Sequence, residues 1–140
     1  CPQEEDHLRA LTDYALRTYF GSSSADPVEL VAQVVARTAR LAASYMAAGF
    51  VHGVLNSDDI NVTGESFDYG PWRFTPRFDP GFTAAYFDHA GLYAFGRQAE
   101  AIQWDVVQLA GALRMLADVD ALIAELDRFA RLARGWKKES

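Results

Sequence analysis

The chain has 140 residues, half of them hydrophobic and 13% aromatic, and its formal net charge is −6. This length favours a single domain, and the hydrophobic content excludes a disordered chain. The negative charge argues against nonspecific binding to nucleic acid or to an anionic membrane. The single cysteine, Cys1, rules out an intrachain disulfide and a cysteine metal cluster. No apolar run reaches membrane-spanning length and no signal peptide is visible, so we expect a cytoplasmic protein.

Apolar residues at helical spacing predict two helices before residue 50. The first covers residues 7–20 and the second covers residues 27–48. Asp26 is the expected N-cap of the second helix, and Glu29 completes a pattern like a capping box. Gly49 is expected to end this helix, because glycine readily adopts the left-handed conformation of a C-terminal cap.

Two further helices are predicted at the other end of the chain, over residues 99–117 and 119–135, and the tail after them is expected to fray. The last helix is expected to bury one apolar face, made by Leu122, Ile123, Leu126, Phe129 and Leu132. The predicted fold is therefore mainly α, with two helices on each side of an irregular centre.

The central segment, residues 50–98, is rich in turn residues and aromatic residues. The stretches INV (60–62) and SFDY (66–69) are predicted to be brief strands of a small hairpin. Aromatic side chains farther along are expected to pack in the core rather than to stack on bases, because the chain is acidic. These are Trp72, Phe74, Phe78, Phe82, Tyr86, Phe87, Tyr93 and Phe95. Arg73, Arg77 and Arg97 are expected to form salt bridges, although contact with a phosphate is the alternative.

Three acidic residues in this centre are the candidate metal ligands: Asp58, Asp59 and Asp68. Hard cations such as Mg²⁺ prefer carboxylate oxygens, and often take only one or two from the protein. Taken singly, Asp58 and Asp59 are better explained as turn residues, and Asp68 as a residue that bonds its own backbone. Without a further pattern this turn interpretation is favoured over a metal site.

The order of the parts favours the metal interpretation. A long helix is followed by a His-Gly turn at His52, then by acidic residues, a short hairpin and Asp-Tyr-Gly at Asp68. Protein kinases have this order in their catalytic half. The catalytic aspartate of kinases, two residues after the histidine, is replaced by Val54, which disfavours an ordinary kinase mechanism. His52 is expected to brace the loop rather than to take part in chemistry.

The stretches GFVHGVLNSDDINVTGESFDYGPWRF and DPGFTAAYFDHAGLYAFGRQ strongly resemble selenoprotein O, a pseudokinase-fold family that transfers AMP from ATP to protein hydroxyls. The resemblance extends over nearly the whole chain. It implies a fold like the C-lobe of protein kinases, with helices around a catalytic loop and a short β-hairpin.

The resemblance also implies roles for the three aspartates. Asp58 matches the proton acceptor, which takes the proton of a Ser, Thr or Tyr hydroxyl on a protein substrate. Asp59 and Asp68 match the ligands of a Mg²⁺ or Mn²⁺ ion that bridges phosphate oxygens of ATP. In the family the ATP lies in a flipped orientation relative to kinases, so that pyrophosphate leaves.

The chain departs from the family pattern in three places. Asp59 stands where the family has asparagine, while Ala90 and Leu92 stand where it usually has glutamine and arginine. The glycine-rich loop and phosphate-contacting lysine of the nucleotide-binding half do not occur in this sequence.

These departures lead us to expect that residues 1–140 form one domain, a partial C-lobe without the N-lobe. Such a fragment or truncated member would be inactive in isolation, with the missing lobe or a second copy covering its exposed apolar surface. The alternative is a non-catalytic helical domain for binding or oligomerisation that retains only the fold.

Overall fold

The computed structural model describes residues 2–53, 55, 56, 59–66, 72–75, 77, 79–84, 91 and 94–139, without the side chains of 95 and 134–139. These residues form a mainly helical structure with one small antiparallel sheet. The helices are α1 (Pro2–Phe20), α2 (Pro27–Ala48), α3 (Gln98–Leu113) and α4 (Val119–Glu139), and the strands are β1 (Phe50–Val51) and β2 (Arg73–Phe74).

Helix α2 has the predicted bounds because both of its ends are capped. Asp26 Oδ1 accepts a hydrogen bond from the Val28 N–H at 3.0 Å, and Gly49 closes the helix with φ of 70°. The predicted capping box does not form. Glu29 accepts instead from the Gln33 side chain at 3.0 Å, one turn along the helix.

The other helices differ from prediction at their ends. Helix α1 begins at Pro2, ahead of the predicted residue 7, and α4 continues to Glu139, where fraying was expected. Helix α3 stops at Leu113 rather than at residue 117. The Leu116 N–H donates to the Leu113 carbonyl at 2.9 Å, a tight turn in which the chain leaves the α-helical path.

Helix α2 lies at the centre of the molecule and packs against α1, α3 and α4. One hydrophobic core joins the four helices. Its fully buried large side chains include Leu16 from α1, Val35 from α2, Ile102 from α3 and Phe129 from α4. Among the described residues, no helix has both the length and the apolar character needed to cross a membrane.

The predicted apolar face of α4 is only partly correct. Leu122 and Phe129 are buried, whereas the side chains of Ile123 and Leu132 are 49% and 44% exposed. Adjacent positions on a helix differ by about 100°, so burial of Leu122 turns Ile123 away from α2. Ala133, one turn after Phe129, takes the buried position instead of Leu132.

The predicted hairpin is seen only in part, because residues 67–69 of its second arm lie outside the described residues. Residues 60–66 contribute one isolated antiparallel bridge, Ile60 with Ser66, around a turn in which the Gly64 N–H donates to the Asn61 carbonyl at 3.0 Å. The two-stranded sheet pairs β1 with β2, with Phe50 opposite Phe74. Sequence periodicity could not reveal this pairing, because two-residue strands have no measurable alternation.

Candidate functional site

The predicted catalytic loop begins at His52, directly after β1, and its start is fixed to helix α3. His52 is fully buried, and its backbone N–H donates to Gln98 Oε1 at 3.1 Å. The Nε2 atom of Gln98 donates to the Phe50 carbonyl at 2.8 Å. Gly53 follows with φ of 97°, a conformation that favours glycine, and turns the chain away from the sheet. The bracing role predicted for His52 agrees with its burial.

A second junction brings residues 79–84 against the start of α3. The Gly96 N–H donates to the Pro80 carbonyl at 2.8 Å, and a Cβ atom at Gly96 would lie 2.6 Å from the Pro80 Cβ. Nearby, Met46, Val51 and Ala84 form a small buried cluster. Two stretches of the family-like motif, DPGFT (79–83) and AFGRQ (94–98), therefore meet in space at this junction.

Asp59, one of the two predicted metal ligands, lies in a short helical turn and is 8% exposed. Its backbone N–H donates to the Asn56 carbonyl at 3.0 Å. Within the described part of the chain, no side chain or backbone N–H donates to the Asp59 carboxylate. An aspartate that is nearly buried as a residue and accepts none of these hydrogen bonds fits one ligand position of a hard cation, which needs only one or two protein carboxylates.

The other two predicted site residues, Asp58 and Asp68, lie outside the described residues, as do His89, Ala90 and Leu92. Among the residues that are described, no group of three His, Cys, Asp or Glu side chains is close enough to hold a metal ion. The roles of Asp58, Asp59 and Asp68 therefore remain predictions.

The turn after Asp59 rests on helix α2. Gly64 has φ of 82°, and a Cβ atom there would lie 2.7 Å from the Arg37 Cβ. The Tyr45 and Ser66 hydroxyls form a hydrogen bond, which ties the far side of the turn to the same helix. The segment that carries Asp59 is thus packed on α2 at its turn, through Gly64, and at its second arm, through Ser66.

The expectation that the central aromatic residues pack in the core is wrong for Trp72 and Phe74, which are 52% and 57% exposed. The Trp72 ring stacks on Phe50 at 6.0 Å between centroids, and the Phe74 ring meets Phe50 edge-on at 5.5 Å. With Tyr45 these rings line an open groove of about 400 Å³. Both residues of β2 are exposed, and Trp72 directly precedes this strand.

The arginine predictions have a mixed outcome. Arg97 Nε lies 3.2 Å from Glu100 Oε2, the expected salt bridge. Arg73 and Arg77 are exposed, and neither forms a salt bridge with another residue that the structure describes. The phosphate-contact alternative therefore stays open for these two.

Gln98 is the site residue that the sequence analysis missed. It ends the stretch DPGFTAAYFDHAGLYAFGRQ, whose pattern by itself indicates no role for this side chain. A signal was present: Gln98 lies four residues before the buried Ile102, on the apolar face of α3, and is itself 1% exposed. A polar residue at a buried helix position has to hydrogen-bond within the protein.

Comparison with known proteins gives a family match over residues 1–136, to the family described as protein adenylyltransferase SelO. A protein nucleotidyltransferase YdiU from Synechococcus elongatus is 47% identical over 125 residues, which cover 85% of this chain and 25% of the relative. The relative of the same name from Gloeobacter violaceus is 44% identical over 131 residues, covering 89% of this chain and 27% of the relative.

A third relative of that name, from Azotobacter vinelandii, is 40% identical over 136 residues, covering 95% of this chain and 28% of the relative. The chain thus spans about a quarter of the length of the curated relatives it matches.

Proposed function

The chain belongs to the protein adenylyltransferase SelO family, and on that premise we propose that it forms the catalytic-loop part of a protein AMP-transferase. In the proposed reaction, a Ser, Thr or Tyr hydroxyl oxygen of a protein substrate bonds to the α-phosphorus of ATP. The bond from that phosphorus to the α–β bridging oxygen breaks, and pyrophosphate leaves. Asp58 takes the hydroxyl proton.

The observation that carries the proposal is the environment of Asp59. As a residue Asp59 is 8% exposed, on a loop that begins at a fully buried His52 and rests on α2 through Gly64. A carboxylate in that setting is pre-positioned, which is what a ligand of a catalytic cation requires. The Ile60–Ser66 bridge joins the two arms of the segment, the arm that follows Asp59 and the arm that leads to Asp68.

Asp59 and Asp68 are the residues that would hold Mg²⁺ or Mn²⁺. When bound, the ion neutralises charge on the phosphate oxygens of ATP. The aspartate at position 59, where the family has asparagine, keeps an oxygen ligand for this purpose. The proposed architecture is a kinase-like C-lobe, in which α1–α4 form a helical base and the residue 52–66 segment lies at one edge of it.

We infer that AMP transfer needs a second, nucleotide-binding part. The glycine-rich loop and the lysine expected for it do not occur in this sequence, and the relatives are about four times as long as the matched region. The partners in this proposal are that nucleotide-binding part and cytoplasmic proteins with accessible hydroxyls. This chain alone is expected to be inactive, because one side of a two-sided site does not hold ATP in reacting geometry.

The test places residues 1–136 of this chain in the Synechococcus elongatus relative, in place of the matching quarter. The chimera is incubated with Mn²⁺ and ATP labelled at either the α- or the γ-phosphate. We expect the α-label in protein and none of the γ-label, with incorporation lost in Asp58→Ala and Asp59→Ala. Asp120→Ala, which removes an exposed aspartate of α4, is the control and should keep full activity.

Two results would contradict the proposal. Incorporation of the γ-label would show phosphoryl transfer, the chemistry of an ordinary kinase. A folded chimera that transfers neither label, while the unaltered relative transfers the α-label, would show that this chain has lost the chemistry.

The second candidate function, a non-catalytic binding or oligomerisation domain, is favoured by the exposed aromatic groove of Tyr45, Phe50, Trp72 and Phe74. Open apolar surface of this kind promotes association. This alternative predicts self-association of the chain in sedimentation experiments that weakens in Trp72→Ser, together with a chimera that transfers no label.

A further inference from the structure

We propose that Gln98 is a positioning residue that sets the path of the loop carrying Asp58 and Asp59. The inference rests on the proposed function, since it concerns the same loop. It adds a residue of α3, distant in sequence from the three aspartates, to the parts that determine catalysis.

The Gln98 side chain makes two hydrogen bonds to one edge of β1, in the positions where a neighbouring strand would bond. Its side-chain amide accepts from the His52 N–H at 3.1 Å and donates to the Phe50 carbonyl at 2.8 Å. These two backbone groups flank Val51 and point to the same edge of β1, because backbone groups alternate in direction along a strand. The opposite edge faces β2, where the Thr75 N–H donates to the Gly49 carbonyl at 2.7 Å. Strand β1 is therefore held at both edges, by β2 on one side and by one side chain on the other.

The two hydrogen bonds from the Gln98 side chain to β1 form a clamp. This clamp matters because β1 is only two residues long. A two-residue pairing is weak by itself, so side-chain hydrogen bonds form a large part of what fixes this strand. The clamp acts at the last residue before Gly53, whose φ of 97° turns the chain, and Asp58 and Asp59 follow on the same loop in the sequence. A change in the strand direction at His52 is passed on to both aspartates, because they lie on the same short loop.

Burial gives the clamp its precision. Gln98 is 1% exposed and His52 is 0% exposed, so water does not compete for these hydrogen bonds. Gln98 is also the first residue of α3, whose buried Ile102 anchors the helix in the main core. The start of the loop is thereby fixed to the helical core rather than to another loop.

The experiment compares Gln98→Met and Gln98→Glu with the control Leu113→Ala. Methionine has a similar length but neither donates nor accepts in this geometry, whereas glutamate keeps the acceptor for the His52 N–H and loses the donor to Phe50 when ionised. Leu113 is buried at the other end of α3, so its truncation lowers global stability without touching the clamp.

The first readout is a ratio of amide hydrogen-exchange rates, measured in the 140-residue chain itself. The rate at the His52 amide is divided by the rate at core amides of α2. On the order of a tenfold rise in this ratio is expected for Gln98→Met, and a smaller rise for Gln98→Glu. The ratio should not change in Leu113→Ala, where both amides exchange faster together. An equal ratio in Gln98→Met and Leu113→Ala would overturn the proposal, whether or not the chain supports catalysis.

The second readout is AMP transfer by the chimera described above. We expect kcat to fall by about 10- to 100-fold in Gln98→Met, the scale of an ångström-level misplacement of catalytic groups, with Leu113→Ala close to the unaltered chimera at a temperature where both are folded. If Gln98→Met matches Leu113→Ala in kcat, the positioning role is wrong. If the unaltered chimera transfers no AMP, the proposed function fails, and the exchange ratio alone then decides whether Gln98 sets the loop.

Discussion

The helical frame (residues 2–48 and 98–139) and the central segment (residues 50–97) are stabilised in different ways. The frame shares one apolar core, in which many side chains from four helices each contribute a part. The central segment, over its described residues, is held by single contacts far apart in sequence. These include the hydrogen bonds from Gln98 to β1, the close approach of Gly96 to Pro80, and the close approach of Gly64 to Arg37.

This difference teaches where a single substitution should act. In the frame, a truncated side chain weakens a shared core, and the loss is felt by the whole domain. In the centre, a single changed contact loosens one junction while the helices stay folded. The candidate site lies in the second kind of structure, so its geometry is more sensitive to individual residues than the fold is.

The largest effect is expected from Phe129→Ala, which tests whether the core is shared. Phe129 is 1% exposed on α4 and packs in the core of the four helices. Loss of a buried phenyl ring should lower the free energy of unfolding by about 3–5 kcal/mol. The measurement is urea denaturation, with Ile123→Ala, truncated at a 49% exposed position of the same helix, as the control. Similar losses in both variants would contradict a core centred on Phe129.

A smaller effect, confined to the centre, is expected from Gly96→Ala. The added Cβ would lie 2.6 Å from the Pro80 Cβ and 2.9 Å from its carbonyl oxygen, so residues 79–84 must move. We expect a loss of about 1–3 kcal/mol, the usual cost of overpacking, with faster amide exchange in residues 79–84 and little change in α1.

Gly111→Ala is the matched control for that experiment. Gly111 lies in α3, and nothing stands within 4 Å of a Cβ atom placed there. Alanine should raise stability by up to about 1 kcal/mol, since it lowers the backbone entropy lost on helix formation. If Gly96→Ala proves as harmless as this control, the junction is not a tight contact.

Asp26→Ala should have a moderate effect on the frame alone. Its carboxylate accepts the Val28 N–H at the start of α2, and removal of such a cap costs about 1 kcal/mol. Asp26→Asn retains the acceptor and should lose at most a few tenths of a kcal/mol, from weaker interaction with the helix dipole. The comparison is made by thermal denaturation, and equal losses in the two variants would point to charge rather than capping.

The smallest effect is expected from Arg17→Gln, which breaks the ion pair with Asp13 on the surface of α1. The two groups lie 2.8 Å apart, but their side chains are 63% and 35% exposed. Exposed pairs at this helical spacing contribute about 0.5 kcal/mol or less. We expect a loss within that limit, and one that disappears in 1 M salt, where screening is strong. A loss above 1 kcal/mol would mean that surface charge contributes to the frame as much as capping does.

The frame was largely predictable from the sequence because its signals are local and periodic. The bounds of α2 follow from Asp26 and Gly49, which act within a few residues of themselves. The errors lie where a tertiary choice decides, as at Ile123, which is apolar yet turned outward. Periodicity shows which residues are able to face a core, and the neighbouring helix determines which of them do.

The centre was predictable mainly through its resemblance to a family. Residue chemistry named the three aspartates as candidate metal ligands, and the resemblance, confirmed by the match over residues 1–136, assigned each of them a role to test. It did not indicate the pairing of β1 with β2 or the bridge from Gln98. Contacts of this kind join residues more than twenty positions apart, and no local pattern encodes which partner a two-residue strand or a single glutamine will find.

The pairing of β1 with β2 has one more consequence, which concerns variation in length. It joins the two ends of the stretch from residue 52 to residue 72, so this stretch leaves the small sheet and returns to it at nearly the same place. The entropy of closing a loop rises slowly with its length, by about 0.6 kcal/mol for a doubling. Insertions between residues 61 and 65 should therefore leave the four helices folded, while they displace Gly64 from its contact with Arg37 and loosen the turn on α2.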